Sequence, residues 1–405
     1  MKINLPDDVK FIIKTLTENG YEAYAVGGCV RDSIIRRVPE DWDITTSAGP
    51  AQVKKLFRRT VDTGIQHGTV TVMLGKNGYE VTTYRVDGEY KDGRHPVSVE
   101  FTASLAEDLK RRDFTINAMA YNDDDGLVDE FGGREDLKNG IIRCVGNAED
   151  RFAEDALRML RAVRFCAQLG FQIEECTAAA IRKLAPSIAK ISKERIHTEL
   201  GKLLLSPHPD YIAHVCGLGI GAVVFKAFDD IEDKTISYSL VNCVPCTLPF
   251  RYAALLYDCG EKAARAMLKE LKLDNATIDK TACLVRSHGV DLTDDEYAVR
   301  LSASETGLRD FEDVLVFEKC FYETIGRRDK ADMALKEIDV LNMIRERGDC
   351  LTINGLELDG KDLMELGVKP GRQMGRLLKL CLEYVLKEPG CNTREQLIAK
   401  VREEL

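Results

Sequence analysis

Strand and turn signals in this 405-residue chain are confined to its first 145 or so residues, and from about residue 148 the pattern turns almost wholly helical. That asymmetry predicts an α+β chain: a mixed α/β head over 1–145, a helical neck over 146–206, and a helical body and tail over 207–405. In the head, Val9, Ile12, Ile13 and Leu16 recur at helical spacing across residues 6–19, and Gly20 ends the run. A short strand over 21–26 leads through Gly27 and Gly28 into a helical stretch around 30–37, and 41–46 is expected to be a second strand. Residues 69–74 and 79–85 are β-rich, and the intervening Lys-Asn-Gly is a hairpin signal. The neck is expected to hold one helix over 148–169, ended by Gly170, a second over 175–190, and a third opened by Ser192 that stops before Pro207. Later helices are expected at 260–272, 305–325, 329–347 and 371–387, with a last one introduced by Asn392 and Glu395 at capping-box spacing.

Length alone argues for two to four domains, each with its own apolar interior. Hydrophobic residues make up 44% and charged residues 31%, and no run approaches the roughly 20 apolar residues of a membrane helix. Charged residues stand in Met1–Lys10 where a signal peptide would be apolar, so a cytoplasmic location is expected. The thirteen cysteines are odd in number and scattered from Cys29 to Cys391, which suits reduced thiols rather than a disulfide framework. Cys243 and Cys246 form a lone C-x-x-C without the second pair or histidines of a zinc site, and are expected to pack between helices. A net charge of −10 argues against a non-specific nucleic-acid binder, which needs broad positive surface. It leaves room for a local basic track, for which Lys54-Lys55 with Arg58-Arg59, and Lys110-Arg111-Arg112, are candidates.

Alternate residues of a strand share a face, so Asp41 and Asp43 in Glu-Asp-Trp-Asp-Ile are expected side by side. Their repulsion is relieved by a divalent cation, and hard oxygen donors with positions left for phosphate suit Mg²⁺. Upstream, Val-Gly-Gly-Cys-Val-Arg-Asp (26–32) joins a strand to a helix through Gly27 and Gly28. Such a turn lets backbone N–H groups approach a triphosphate, with Arg31 as a charged partner. Each element alone is equally a surface acid pair or a plain strand-to-helix turn.

Together they resemble the signature of the class II nucleotidyltransferases, the branch holding bacterial CCA-adding enzymes and poly(A) polymerases. The resemblance extends through Tyr79-Glu80-Val81-Thr82-Thr83-Tyr84-Arg85, which implies a further carboxylate at Glu80. Arg111-Arg112-Asp113-Phe114-Thr115-Ile116-Asn117-Ala118 is similar to the motif for ribose and phosphate contacts, which implies that role for Arg111, Arg112, Asp113 and Asn117. Phe131-Gly132-Gly133 with Asp136-Leu137 resembles the head-to-neck connection. Glu154-Asp155-Ala156-Leu157-Arg158 with Arg161 resembles the nucleotide-selecting helix, and Glu194-Arg195 with Glu199-Leu200 resembles the last family motif.

Asp155 and Arg158, three apart on an expected helix, would share a face and present a fixed edge to a base. Cytosine and adenine each set an amino donor beside a ring-nitrogen acceptor, whereas uracil and guanine set a carbonyl beside a ring N–H. A carboxylate beside a guanidinium complements the first pattern and opposes the second. The resemblance implies that Glu154 holds the arginine. It also implies attack of the tRNA 3′-hydroxyl on the α-phosphate of CTP or ATP, release of pyrophosphate, and two metal ions sharing the charge. The implied partner is tRNA lacking its 3′ CCA.

Within the family, Asp87–Pro96 resembles the flexible loop that CC-only enzymes lack, and Asp43–Ala48 looks more like tRNA enzymes than poly(A) polymerases. An A-adding specialist stays open, as does a catalytically silent RNA-binding relative, although such relatives usually lose a metal carboxylate. Some relatives carry a helical phosphohydrolase module that begins with His-Asp, but here Leu255-Leu256-Tyr257-Asp258 has no histidine before Asp258. Pro370-Gly371-Arg372 through Gly375-Arg376 resembles a turn and helix of the bacterial tail, for which plain helix entry and phosphate contact are both open.

Overall fold

The computed structural model describes residues 1–87, 99–225, 228, 231 and 233–405. They fall into two compact units, Met1–Asp229 with Glu270–Lys272, and Asp230–Lys269 with Leu273–Leu405. The loop expected between the carboxylate strand and the Arg-Arg-Asp motif lies, over Gly88–Pro96, outside the described residues.

The first unit is built on a seven-stranded mixed sheet of order β3-β4-β5-β2-β1-β8-β9. Its strands are β1 (Ala23–Val26), β2 (Ile44–Thr46), β3 (Thr60–Gly64), β4 (Thr69–Leu74), β5 (Asn77–Thr83), β8 (Ala120–Asn122) and β9 (Gly126–Val128). Between them, β6 (Arg85–Asp87) and β7 (Val99–Phe101) pair into a separate ribbon. Every residue of β1 is buried, as expected of a central strand covered on both faces. It runs antiparallel to β2 and β8, while β2 runs parallel to β5. Helix α1 (Asp7–Glu18) forms because Val9, Ile12, Ile13 and Leu16 make one apolar stripe, which packs on β1 and β2. Each of these buried aliphatics contributes about 1.5–3 kcal/mol.

Two strand expectations shift. The hairpin turn is Gly75-Lys76, not Lys-Asn-Gly, since Leu74 pairs with Asn77 and Met73 with Gly78. Gly75 takes φ 61° at the first loop position, where a two-residue hairpin demands a left-handed residue. The strand expected through Arg85 breaks at buried Tyr84, whose N–H donates to the Thr46 carbonyl at 2.7 Å.

In the neck, the single helix expected over 148–169 is two: α6 (Ala148–Glu154) and α7 (Leu157–Leu169), the latter ended by Gly170 at φ 73°. The break is at Asp155, whose backbone is extended (φ −143°, ψ 104°) and whose Oδ1 accepts from the Leu157 N–H at 3.0 Å. An aspartate offers the backbone this alternative to helix, and here it wins. Helices α8 (Glu175–Leu184) and α9 (Lys193–Leu204) follow, with a short parallel bridge of β10 (Ile141–Ile142) and β11 (Gln172–Ile173).

The described part of the second unit is helical. The expected helices stand at Glu261–Glu270, Leu308–Thr324, Arg328–Arg347, Arg372–Lys387 and Arg394–Glu403, with five more, among the described residues, at Lys234–Cys243, Leu248–Leu256, Asn275–Ser287, Glu296–Thr306 and Gly360–Glu365. The last helix is capped by Thr393, which accepts from the Gln396 N–H, rather than by Asn392. Asn392 is spent on the chain: it accepts from the Glu357 N–H and donates to the Gly355 carbonyl, both at 3.0 Å. Cys243 and Cys246 are exposed, against the expectation that they pack between helices. Arg372 and Arg376 are exposed at the start of their helix. Among the described residues, no helix is long and apolar enough to cross a membrane.

Candidate active site

Asp41 and Asp43 lie in the extended lead-in to β2, not within it. The reason is lack of a partner: beyond Val26 the chain turns at Gly27, so the ladder starts with Ala25 opposite Ile44. One bond continues it, from the Val26 N–H to the Asp43 carbonyl at 2.9 Å. Glu80 comes to the same place through β5, because the parallel register Ile44–Val81 makes Asp43 and Glu80 the preceding neighbours on adjacent strands. Asp41, Asp43 and Glu80, with Trp42, Lys76 and Tyr79, line a cleft of about 720 Å³. Asp43 is exposed as a residue, yet loss of surrounding water, then Asp41 and then Glu80, push its carboxyl up to about 6 against the pull of Arg112.

Three carboxylates crowded without a matching cation are what a divalent ion relieves. Among the described residues, no three acidic, histidine or cysteine side chains are grouped closely enough to hold one ion by themselves. One or two of these carboxylates would suit a divalent metal ion that completes its shell with water and substrate phosphate.

Gly27 sits beside this cleft at φ 82°, ψ −129°, and opens α2 (Gly28–Ile34). The backbone conformation favours glycine there, and an added Cβ would lie 3.0 Å from Arg112 Nη1. Arg31 is tied down: Nε and Nη2 donate to Asp32 at 2.8 and 3.0 Å, and Nη1 donates to Asn117 Oδ1 at 2.7 Å.

The Arg-Arg-Asp segment follows α4 (Leu105–Lys110), whose Asp108 is fully buried. Arg111 donates to it at 2.7 and 2.9 Å, Arg112 stands 3.5 Å away, and the Thr45 hydroxyl donates at 3.0 Å. Burial pushes the Asp108 carboxyl up, but Arg111 and Arg112 pull harder and leave it below the usual range. Asp108 was missed from sequence, although it precedes the two arginines by three and four residues on a helix, the spacing at which such groups meet. Burial likewise raises Asp113, yet Arg161 and Arg158 bring it down to about 2. Asp113 accepts from the Phe114 N–H at 2.9 Å, Asn117 at 3.3 Å and Arg161 at 2.8 Å.

The head-to-neck motif is built for close packing. Asp129 accepts from the Gly133 and Arg134 N–H groups, a Cβ on Gly133 would lie 2.2 Å from the Thr115 carbonyl oxygen, and Thr115 donates to Asp136 at 2.6 Å.

In the neck, Asp155 and Arg158 do not share a helix face, which corrects the expectation. Asp155 leaves the helix, and Arg195 of α9 grips its carboxylate at 2.6 and 3.3 Å. The Arg158 guanidinium donates to Glu154 at 2.6 Å and to the Arg151 and Arg111 carbonyls, both at 3.2 Å. Arg161 stands 3.9 Å from Glu199, which also binds Arg164. The packing of α7 on α9 brings in Arg195 and Glu199, which the sequence marks only as a family motif, and Arg164, which it does not mark at all, as further charged partners.

Three family models match in order: "Poly A polymerase head domain" over residues 23–143, "Probable RNA and SrmB- binding site of polymerase A" over 170–231, and "tRNA nucleotidyltransferase domain 2" over 251–401. A CCA-adding enzyme of Lactiplantibacillus plantarum is 39% identical over 402 residues, covering 96% of this chain and 94% of the relative. One of Enterococcus faecalis is 37% identical over 409 residues, covering 97% and 95%. The solved Bacillus stearothermophilus CCA-adding enzyme in complex with CTP has a TM-score of 0.80 at 33% identity, with 97% of each chain covered. With ordered motifs, site geometry and full-length likeness in agreement, this chain belongs to the CCA-adding enzymes, a family of tRNA nucleotidyltransferases.

Proposed function

We propose that the chain rebuilds the 3′-terminal CCA of tRNA from CTP and ATP, with Mg²⁺ held by Asp41 and Asp43. One observation carries the reading: the carboxylate cleft and the neck are joined by a single chain of contacts. Arg158 is bonded to the carbonyl of Arg111, and the next residue, Arg112, lies against the Gly27 position and acts on Asp43.

In this reading the triphosphate lies over Gly27 and Gly28, with Arg31 and Arg112 drawing its negative charge. Arg111, Asp113 and Asn117 hold the ribose and phosphate, and Arg161 keeps Asp113 ionised and directed. When bound, Mg²⁺ neutralises phosphate charge and lowers the pKa of the attacking 3′-hydroxyl. A carboxylate of the cleft takes the proton that hydroxyl loses as its oxygen bonds to the α-phosphorus and pyrophosphate leaves. Asp155 accepts from the amino group of C or A while Arg158, held by Glu154, donates to the ring nitrogen.

The division of labour is a catalytic head over 1–145, a base-selecting neck over 146–206, and a body and tail over 207–405 that bind tRNA, with exposed Arg372 and Arg376 as phosphate contacts. Thirteen free cysteines support a reducing, cytoplasmic setting. The test offers the protein tRNAs lacking three, two or one terminal nucleotides, with each nucleoside triphosphate separately, and sequences the products. Two cytidines and then an adenosine are expected. Adenosine added only to the last substrate would make the chain an A-adding specialist, and long adenosine runs would make it a poly(A) polymerase.

A further inference from the structure

We propose that Phe165 is a positioning residue for the triphosphate, an uncharged aromatic hub that gathers Arg31 of the head with Arg161 and Arg164 of the neck at one phosphate-binding spot. The inference rests on the reading that the triphosphate lies over Gly27 and Gly28 beside Arg31.

Phe165, on α7, is only 5% exposed, and three guanidiniums crowd its ring. The guanidinium carbon of Arg164 lies 3.9 Å from the ring centroid, that of Arg31 5.1 Å and that of Arg161 5.5 Å. All three fall within the roughly 6 Å over which an aromatic face holds a cation. Arg161 and Arg164 share α7 with the ring, but Arg31 comes from α2, where a Cβ on Gly28 would lie 3.7 Å from Arg31 Nη2. The ring therefore stands where the glycine turn of the head meets the neck helix. Phe114 seats it, with the two rings T-shaped at 5.8 Å.

Like charges gathered at one point repel, and the cost shows at Arg164: burial lowers its pKa, Glu199 opposes the fall, and the charge of Arg161 adds to it. Carboxylates relieve part of that cost, Asp32 at Arg31, Asp113 at Arg161 and Glu199 at Arg164. One more carboxylate in place of Phe165 would cancel charge that a triphosphate needs. A ring attracts each cation through its quadrupole and cancels none. The two kinds of partner are compatible, because a guanidinium donates in its plane and leaves its faces for a ring. Arg31 spends three of its five N–H donors, Nε and Nη2 on Asp32 and Nη1 on Asn117, which leaves two for phosphate oxygen. None of the three guanidiniums belongs to the base-reading pair Asp155 and Arg158, so Phe165 is assigned to affinity for the triphosphate and not to choice of base.

The test replaces Phe165 in the full-length protein with phenylalanines carrying one, two and three ring fluorines, which nearly keep the shape of the ring but withdraw electron density from its face, and separately with leucine. Dissociation constants for CTP, ATP, UTP and pyrophosphate are measured by calorimetry with Mg²⁺ and without tRNA, beside a melting temperature for each protein. Each added fluorine is expected to weaken all four ligands by the same factor, reaching about 10-fold with three, and Phe165→Leu should lose at least as much. The preference for CTP over UTP in incorporation onto tRNA should not change. Constant binding across the fluorine series overturns the proposal even where Phe165→Leu binds poorly, because the ring is then packing alone. A loss seen with nucleotides but not with pyrophosphate also overturns it, because the ring then serves the base. If Phe165→Leu does not fold, the fluorinated proteins decide. Undiminished pyrophosphate binding in Arg31→Ala would sink the reading that the triphosphate lies beside Arg31, an outcome distinct from failure of Phe165 alone.

Discussion

The acidic cleft beside β2 and β5 of the head sheet and the charged seam between α4, α7 and α9 both concentrate ionised groups, but they treat them in opposite ways. In the seam each acid has a matched cation: Asp108 with Arg111 and Arg112, Asp113 with Arg161, Asp155 with Arg195, Glu199 with Arg164. In the cleft burial, Asp41 and Glu80 push the Asp43 carboxyl up to about 6, and Arg112 pulls against them. Matched charges hold geometry, whereas unmatched charges store a demand for a cation. The first arrangement suits nucleotide positioning and the second suits metal-assisted transfer.

The largest expected effect breaks the cleft. Asp43→Asn should lower nucleotide incorporation by at least about a thousand-fold, because the metal loses an anionic ligand. The melting temperature should hold or rise, since the substitution also removes like-charge repulsion, and tRNA should still bind in a gel-shift assay. Retained turnover would remove Asp43 from the mechanism. A drop in melting temperature would mean that the cleft is already compensated.

Breaking the seam should do the reverse to stability. Asp113→Ala removes the main partner of Arg161 and an acceptor of Asn117, leaving only the more distant Glu199 for Arg161, and should cost about 2–3 kcal/mol in urea unfolding of the head–neck unit. The pH dependence follows from the folded carboxyl at about 2, below its ordinary 3.8. Its contribution is therefore complete above about pH 4 and fades as pH falls toward 2. Asp113→Asn should flatten that acid limb; an unchanged limb would show that Arg161 does not hold the group.

The smallest expected effect comes from Glu337 in the second unit, a buried acid with neither a metal role nor an arginine. It accepts from the Thr293 N–H at 3.0 Å, and burial pushes its carboxyl up to about 7 against an ordinary 4.5. The unfolded chain ionises first as pH rises, so this group costs stability progressively from about pH 4.5 to 7 and uniformly above. Glu337→Gln keeps an acceptor for Thr293 and should raise stability by roughly 1–2 kcal/mol at pH 8, with no gain at pH 4. A gain that persists at pH 4 would point to packing rather than charge.

Much of this was legible in the chain. The apolar stripe of α1, Gly170 as a helix stop and the ordered motifs follow from local chemistry, which needs no knowledge of distant residues. The misplaced features share a different cause. Asp155 was expected inside a helix because its neighbours are good helix formers, yet a distant arginine and its own capping bond pull it out. Asn392 has the look of a cap but ties a loop 35 and 37 residues away.

By itself, then, the sequence determined the identities: two aspartates and a glutamate in ordered family motifs, glycines where a backbone must come close, and an aspartate and an arginine three residues apart in the neck. Only the tertiary structure decided the pairings, because strand register sets Glu80 beside Asp43, and the packing of α7 on α9 chooses Arg195 rather than Arg158 as the partner of Asp155. Side-chain type is a local property, whereas the partner that a charge finds depends on which elements fold against one another.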